Sequence, residues 1–334
     1  LKQRIAEIIA ENDRGHFSCE QVILVTHSMG GLVARACSEL KGMREKIAGI
    51  VHGVMPATGA SVAYRRCKVG MWDEDWKAAL VIGITGPEVT AVFAQAPGAL
   101  QLLPAHDYGA NWLKVCGPDG AVIESWPKAS ADGTADPYTD IYLCKDRWWG
   151  LVQPEWLSPK EGKAISWGDF TEYVNLAKDF HLSLSKKYHP NTYVFYGADD
   201  KQPSFKSVAW NMKRGMLYRP ATSPKPPEVA NYGHTRVRQS GSNPIHVGGK
   251  TETVIAFGAP VGAMATVETS HWEVQCAKQD VSGDGTVPEH SGKAPLVAGK
   301  VKQQFRLTGF GHEPAFRDRR AQEVTVYAIT KICI

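Results

Sequence analysis

Apolar residues recur along the chain at two different spacings, and the switches between them mark the elements. Ile5, Ile8 and Ile9 share one face of residues 2–12, so the chain opens with an amphipathic helix. Residues 21–27 read Gln-Val-Ile-Leu-Val-Thr-His, four consecutive apolar side chains of which three are β-branched. Such a run predicts a parallel strand buried on both faces, most simply a central one. Across residues 29–40, Leu32, Val33, Ala36, Cys37 and Leu40 fall at helical spacing. Strand therefore gives way to helix within about two residues, and Ser28 sits at the change.

Residues 46–53 form a second apolar run one crossover later, which predicts a parallel β-α-β unit. From 55 to 188 the periodicity loosens, and tryptophans gather there, among them Trp112, Trp126, Trp148, Trp149, Trp156 and Trp167. This stretch is expected to be a cap or lid inserted into a core made of residues 1–54 and 189–334. Residues 192–196, 253–257 and 301–307 read as strands and 323–332 as a closing helix, whereas 219–250, rich in Pro, Gly and Ser and mostly basic, reads as a long solvated loop. Val89, Val92, Phe93, Ala96 and Leu100 make a helical apolar stripe that belongs either to a core or to a lipid-facing surface. The expected class is α/β: a mainly parallel sheet with helices on both faces and an inserted cap.

Composition narrows the partners. Of 334 residues, 43% are hydrophobic and 22% charged, which excludes a disordered or membrane-embedded chain. A formal net charge of +4, with both signs dispersed, argues against nucleic acid. No apolar run reaches the roughly 18 residues of a spanning helix, and the start lacks a signal peptide's charged and apolar regions. A soluble protein is expected, exported if at all without such a signal. The chain begins at Leu1, and its natural start is expected upstream. The seven cysteines form no CxxC pair and are expected to be buried thiols, with a Cys116–Cys144 bridge as the option in an oxidising compartment. No zinc spacing or phosphate loop occurs, and the acidic spacing of residues 280–289 does not fit a calcium loop, so neither a metal nor a cofactor is expected.

The chemistry concentrates at Ser28. In Thr26-His27-Ser28-Met29-Gly30-Gly31 a serine stands where a strand reverses sharply into a helix, with two glycines permitting close approach. This geometry lifts Oγ above the sheet and aims the helix N-terminus at it. It also places the Met29 N–H where an oxyanion would form. Thr26 occupies a position where such turns usually carry Gly. A nucleophilic serine needs a histidine to take its proton and a carboxylate to orient that histidine. His312, in Gly-Phe-Gly-His-Glu-Pro after the last strand, is the leading base candidate, with His290 as its rival. For the acid, Asp284 lies between two glycines in Ser-Gly-Asp-Gly-Thr-Val-Pro, while Asp199 and Asp200 follow the 192–196 strand and Asp280 is a third option.

At these places the chain resembles the lipase branch of the α/β-hydrolases, including the lecithin:cholesterol acyltransferase-like and PGAP1-like groups. The run Thr-His-Ser-Met-Gly-Gly-Leu-Val-Ala-Arg resembles the lipase nucleophile elbow, and Tyr-Val-Phe-Tyr-Gly at 193–197 resembles the strand ahead of the acid insertion. Gly-Asp-Gly-Thr-Val-Pro and Gly-His-Glu-Pro resemble the acid turn and the base loop, and 86–104 resembles the helix near the lid. Among bacterial members the combination is most similar to phospholipase effectors of type VI secretion. The resemblance implies Ser28 as nucleophile, Asp284 rather than Asp199 as acid and His312 as base, in the order Ser, acid, His. It also implies a lipid-ester substrate, transient contact with a membrane surface, and an immunity or delivery protein as partner. The second oxyanion donor of such enzymes comes from an earlier strand, expected before Leu1. An acyltransferase with the same triad, and a binding protein on an inactive hydrolase fold, are the alternatives.

Overall fold

Alternation of side chains builds the first sheet. Strands Val22–His27, Ile47–Gly53, Thr192–Gly197 and Gln303–Leu307 pair in that order, all parallel. In a pleated strand successive side chains face opposite ways, and here each face finds its own cover. Leu24 and Ile50 pack with Ile5, Ala34 and Cys37 of helices Lys2–Asn12 and Gly30–Ser38. Ile23 and Val51 pack instead with Ala328 and Ile332 of the closing helix Arg319–Cys333. Asp318 caps that last helix, accepting from the backbone N–H groups of Arg320 and Ala321, as an N-cap carboxylate does.

The computed structural model describes residues 1–13, 18–71, 83–145, 147–157, 165–213 and 272–334, together with the backbone of strands Val237–Gln239, Ile245–Val247, Lys250–Ile255 and Met264–Thr269. Among the described residues Val22–His27 is an edge strand rather than a central one, and Val25 is 47% exposed. The two inner strands, Ile47–Gly53 and Thr192–Gly197, each paired on both sides, are the ones buried almost throughout.

A second sheet departs from the expected division at residue 188. Its order is Val122–Trp126, Leu113–Cys116, Val208–Lys213, Trp272–Cys276, Ile245–Val247 and Val237–Gln239. Strands from the expected cap thus pair with strands from the C-terminal segment, Leu113–Cys116 running parallel to Val208–Lys213. One apolar cluster spans both, from Ala60 to Cys276. The tryptophans belong to this core. Trp148 and Trp210 are fully buried, and Trp126 stacks on Trp149 with centroids 3.9 Å apart. Burial of that much aromatic surface binds the inserted residues and the C-terminal strands into one shared core.

The apolar stripe also divides: Val89 and Leu100 are core, whereas Val92 is exposed. Two short strands lie within the stretch expected to be a loop and Lys250 opens a third, while Arg219, Lys225 and Arg236 fall outside the described residues. The strand expected at 253–257 is observed as Lys250–Ile255, paired antiparallel with Met264–Thr269. Cys116 is a buried, unbridged thiol, so no bridge to Cys144 forms.

Arg35 fastens the insert to the first sheet. Its buried guanidinium donates to the carbonyls of Leu184 (2.7 Å), Ala57 (3.0 Å) and Lys187 (3.2 Å), and lies 4.1 Å from the centroid of the Tyr188 ring. A buried cation is tolerated only when its donors are satisfied in this way.

Candidate active site

Because the four strands of the first sheet are parallel, their C-terminal ends share one edge, where the connecting loops can converge. Ser28 follows the first strand directly. Its φ is +51°, in the left-handed region where a side chain is strained, and its N–H donates to Gly53 O of the adjacent strand at 3.0 Å. Gly31 lets the helix come close: a Cβ there would fall 2.6 Å from Met55 Sδ. Val54, at the end of the neighbouring strand, also has a positive φ of 48°. Two adjacent strand ends thus hold strained backbone, and the first presents the serine.

Antiparallel pairing of Asp199–Ser204 with Val281–Gly283 carries the Gly-Asp-Gly turn to the end of Thr192–Gly197. Ser204 Oγ accepts from Gly285 N at 3.0 Å and pins that turn. Asp284 is 2% exposed. Its Oδ1 accepts from the N–H groups of Thr286 (3.0 Å) and Val287 (2.7 Å), leaving Oδ2 to meet His312 Nδ1 at 2.9 Å. His312 Nε2 lies 2.7 Å from Ser28 Oγ. A carboxylate can only accept, so Nδ1 carries the proton and Nε2 is left as the acceptor for the serine hydroxyl.

The structure therefore brings Ser28, His312 and Asp284 into one hydrogen-bonded line, and places the other candidates elsewhere. Asp199 accepts from Lys201 N (2.9 Å) and Gly309 N (2.7 Å), bonds that hold its carboxyl below the usual range, and so it anchors the loop that leads to His312. Asp200 is exposed. Asp280 caps the backbone of Lys206 and Ser207. His290 packs edge-on against Tyr108, its ring nitrogens unpartnered among the described residues, and burial lowers its pKa to about 4. Thr26 uses its hydroxyl sideways, 2.9 Å from Nδ1 of the fully buried His52.

Ser28 and His312 open into a cavity of about 370 Å³. Val62, Ala63, Met71, Phe93, Leu102 and Val287 line it with apolar residues, and Arg66, Thr286 and Glu313 are the polar residues beside them. The Met29 N–H at the mouth of the helix has no hydrogen-bond acceptor among the described residues. Sequence reasoning missed Arg66, Glu313 and His27, whose Nε2 reaches the His312 carbonyl oxygen at 2.9 Å. Only its adjacency to Ser28 hinted at His27, and nothing in the sequence singled out Arg66. Among the described residues no cluster of His, Cys, Asp and Glu is arranged to hold a metal, and no helix is long and apolar enough to cross a membrane.

Known proteins bear on this geometry. Residues 1–74 match the family model described as the PGAP1-like alpha/beta domain. A chain of the solved structure titled "The crystal structure of Tle4-Tli4 complex" is similar at 31% identity with a TM-score of 0.68, over 98% of the present chain and 63% of that one. The present chain thus spans under two thirds of that neighbour's length. No curated protein matches significantly. The fold of this chain is the α/β-hydrolase fold, matched over residues 1–74 by the PGAP1-like alpha/beta domain.

Proposed function

We propose that the chain is a serine hydrolase that cleaves carboxylic esters of lipids through an acyl-enzyme on Ser28. The observation that carries this reading is the unbroken line Ser28 Oγ, His312, Asp284 opening into a largely apolar cavity. His312 Nε2 takes the hydroxyl proton as Oγ attacks the ester carbonyl carbon, and Asp284 stabilises the imidazolium. The carbonyl oxygen becomes an oxyanion and accepts from the Met29 N–H. His312 then returns the proton to the leaving alcohol. A water, deprotonated in turn by His312, releases the carboxylic acid and restores Ser28.

The apolar side chains that line the cavity suit an acyl chain. The likeness to Tle4, solved together with Tli4, supports two finer readings. One is a phospholipid substrate met at a membrane surface; the other is an exported effector with a dedicated protein partner.

A fluorophosphonate probe tests the chemistry. It should label wild-type chain at Ser28 and leave Ser28→Ala unlabelled, and p-nitrophenyl butyrate turnover should disappear in the same variant. Labelling that persists in Ser28→Ala would overturn the assignment. Turnover that fails to rise as a phospholipid substrate passes from monomers to vesicles would remove the lipid-surface reading, and ester products formed with an added alcohol would identify a transferase.

A further inference from the structure

His27 ends strand Val22–His27 and immediately precedes the strained Ser28. The left-handed backbone at Ser28 breaks the strand just after His27, and the two side chains meet His312 at different atoms. Ser28 Oγ meets the imidazole at Nε2, whereas His27 Nε2 lies 2.9 Å from the backbone carbonyl oxygen of the same residue. A carbonyl only accepts, so His27 Nε2 carries a proton and donates it, which fixes the tautomer of His27. The two rings sit 5.2 Å apart, and His27 also packs 6.1 Å from Phe316.

The loop needs such a tie. Gly309, at φ +90°, and Gly311 both precede His312, and glycines leave a backbone free to move. Asp199 holds Gly309 at the near end, and Ala315 N reaches the His312 carbonyl only at 3.4 Å. The Asp284 bond orients the imidazole about its side-chain torsions, yet it does not set the height of the main chain over Ser28. The His27 bond does, and it links the strand that carries the nucleophile to the loop that carries the base, across 285 residues of sequence.

We propose that His27 is a positioning residue whose Nε2–H bond to the His312 carbonyl holds the base within reach of Ser28 Oγ. This rests on the serine-hydrolase reading above. Displacements of about 1 Å in such a relationship cost on the order of 10²-fold in rate.

The test compares His27→Phe, which keeps a ring against Phe316 but has no donor, with His27→Gln, which restores an amide N–H at similar reach. The readouts are kcat and KM for p-nitrophenyl butyrate, the rate of fluorophosphonate labelling, and Tm. His27→Phe should lose roughly 10- to 100-fold in kcat at little-changed KM, with labelling slowed in parallel and Tm preserved. His27→Gln should recover most of that loss. Wild-type kcat in His27→Phe would overturn the proposal, as would a loss in His27→Phe that His27→Gln, equally folded, fails to recover. Ser28→Ala in the same assay separates the two readings. If it retains turnover, the serine-hydrolase reading itself falls; if it is inactive while His27→Phe is fully active, only the positioning role falls.

Discussion

Gly197 lies directly against Asp284: a Cβ on Gly197 would stand 2.6 Å from the Asp284 Cβ and 3.2 Å from Gly283 O. The last residue of the third parallel strand is therefore small because the acid turn rests on it. Gly197→Ala should push the turn away from His312. A loss of about 10²-fold in kcat with KM nearly constant is expected, read from steady-state kinetics alongside a thermal melt. An alanine variant with wild-type kcat would show that the turn has room to move without consequence.

Asp284→Asn tests the orienting role separately. The Asn carbonyl oxygen can still accept from Thr286 N and Val287 N, so the turn has its anchors. Its amide then faces His312 Nδ1 as a donor and forces the proton to Nε2, where it blocks acceptance from Ser28. A fall of about 10⁴-fold in kcat is expected from this wrong tautomer, without a matching fall in Tm. Turnover within a factor of about ten of wild type would remove Asp284 from the mechanism.

How much of this was legible in the sequence follows from which signals are local. The strand-to-helix change at Ser28 and the glycines around Asp284 and His312 are local signals, so these residues stood out before their meeting was visible. The meeting is not local. It depends on Asp199–Ser204 pairing with Val281–Gly283 and on Gln303–Leu307 pairing with Thr192–Gly197, and no periodicity encodes partner choice. Val22–His27 read as central because its apolar run is that of a buried strand, yet among the described residues it stands at an edge. Packing across residue 188 went unread for a related reason. Trp210 and Val208 complete a core begun by Trp112 and Trp148, and such long-range packing leaves no mark in a window of a dozen residues.

Buried histidines predict a slope of stability on the acid side. Burial lowers His52 to about 3 and both His181 and His290 to about 4, from an ordinary value of 6.5. Between roughly pH 4 and 6.5 the unfolded chain binds these protons and the folded chain does not, so stability falls as pH falls through that window. Each contributes up to about 1.4 kcal/mol per pH unit. Urea midpoints should therefore drop steeply from pH 6.5 to 4.5. His181→Gln should flatten the slope, since an amide can still donate to Gln101 O, as His181 Nε2 does, and can accept from Tyr138. Equal slopes in variant and wild type would place the acid sensitivity elsewhere.

Lys68 predicts a slope on the alkaline side. Its ammonium is fully buried in the helix Val62–Val69, donating to Trp148 O at 2.6 Å and Gly150 O at 2.7 Å with the Trp156 ring centroid 5.6 Å away. Burial lowers its pKa from 10.5 to about 7, with Cys67 and Glu155 opposing the shift weakly. From pH 7 upward the unfolded chain still holds this proton while the folded chain gives it up, so stability rises with pH at up to about 1.4 kcal/mol per unit. Lys68→Met keeps a flexible chain of similar volume and removes the titration. Trp148 O retains a donor in Gln153 Nε2 at 3.2 Å, whereas Gly150 O loses the Lys68 donor. The variant should therefore gain relative to wild type at pH 6, where the buried charge costs most, and lose that advantage by pH 9, where only the unmet carbonyl remains. Parallel urea curves at the two pH values, with one constant offset, would mean that Lys68 keeps its proton throughout and that its two carbonyls and the Trp156 ring offset the cost of burying it.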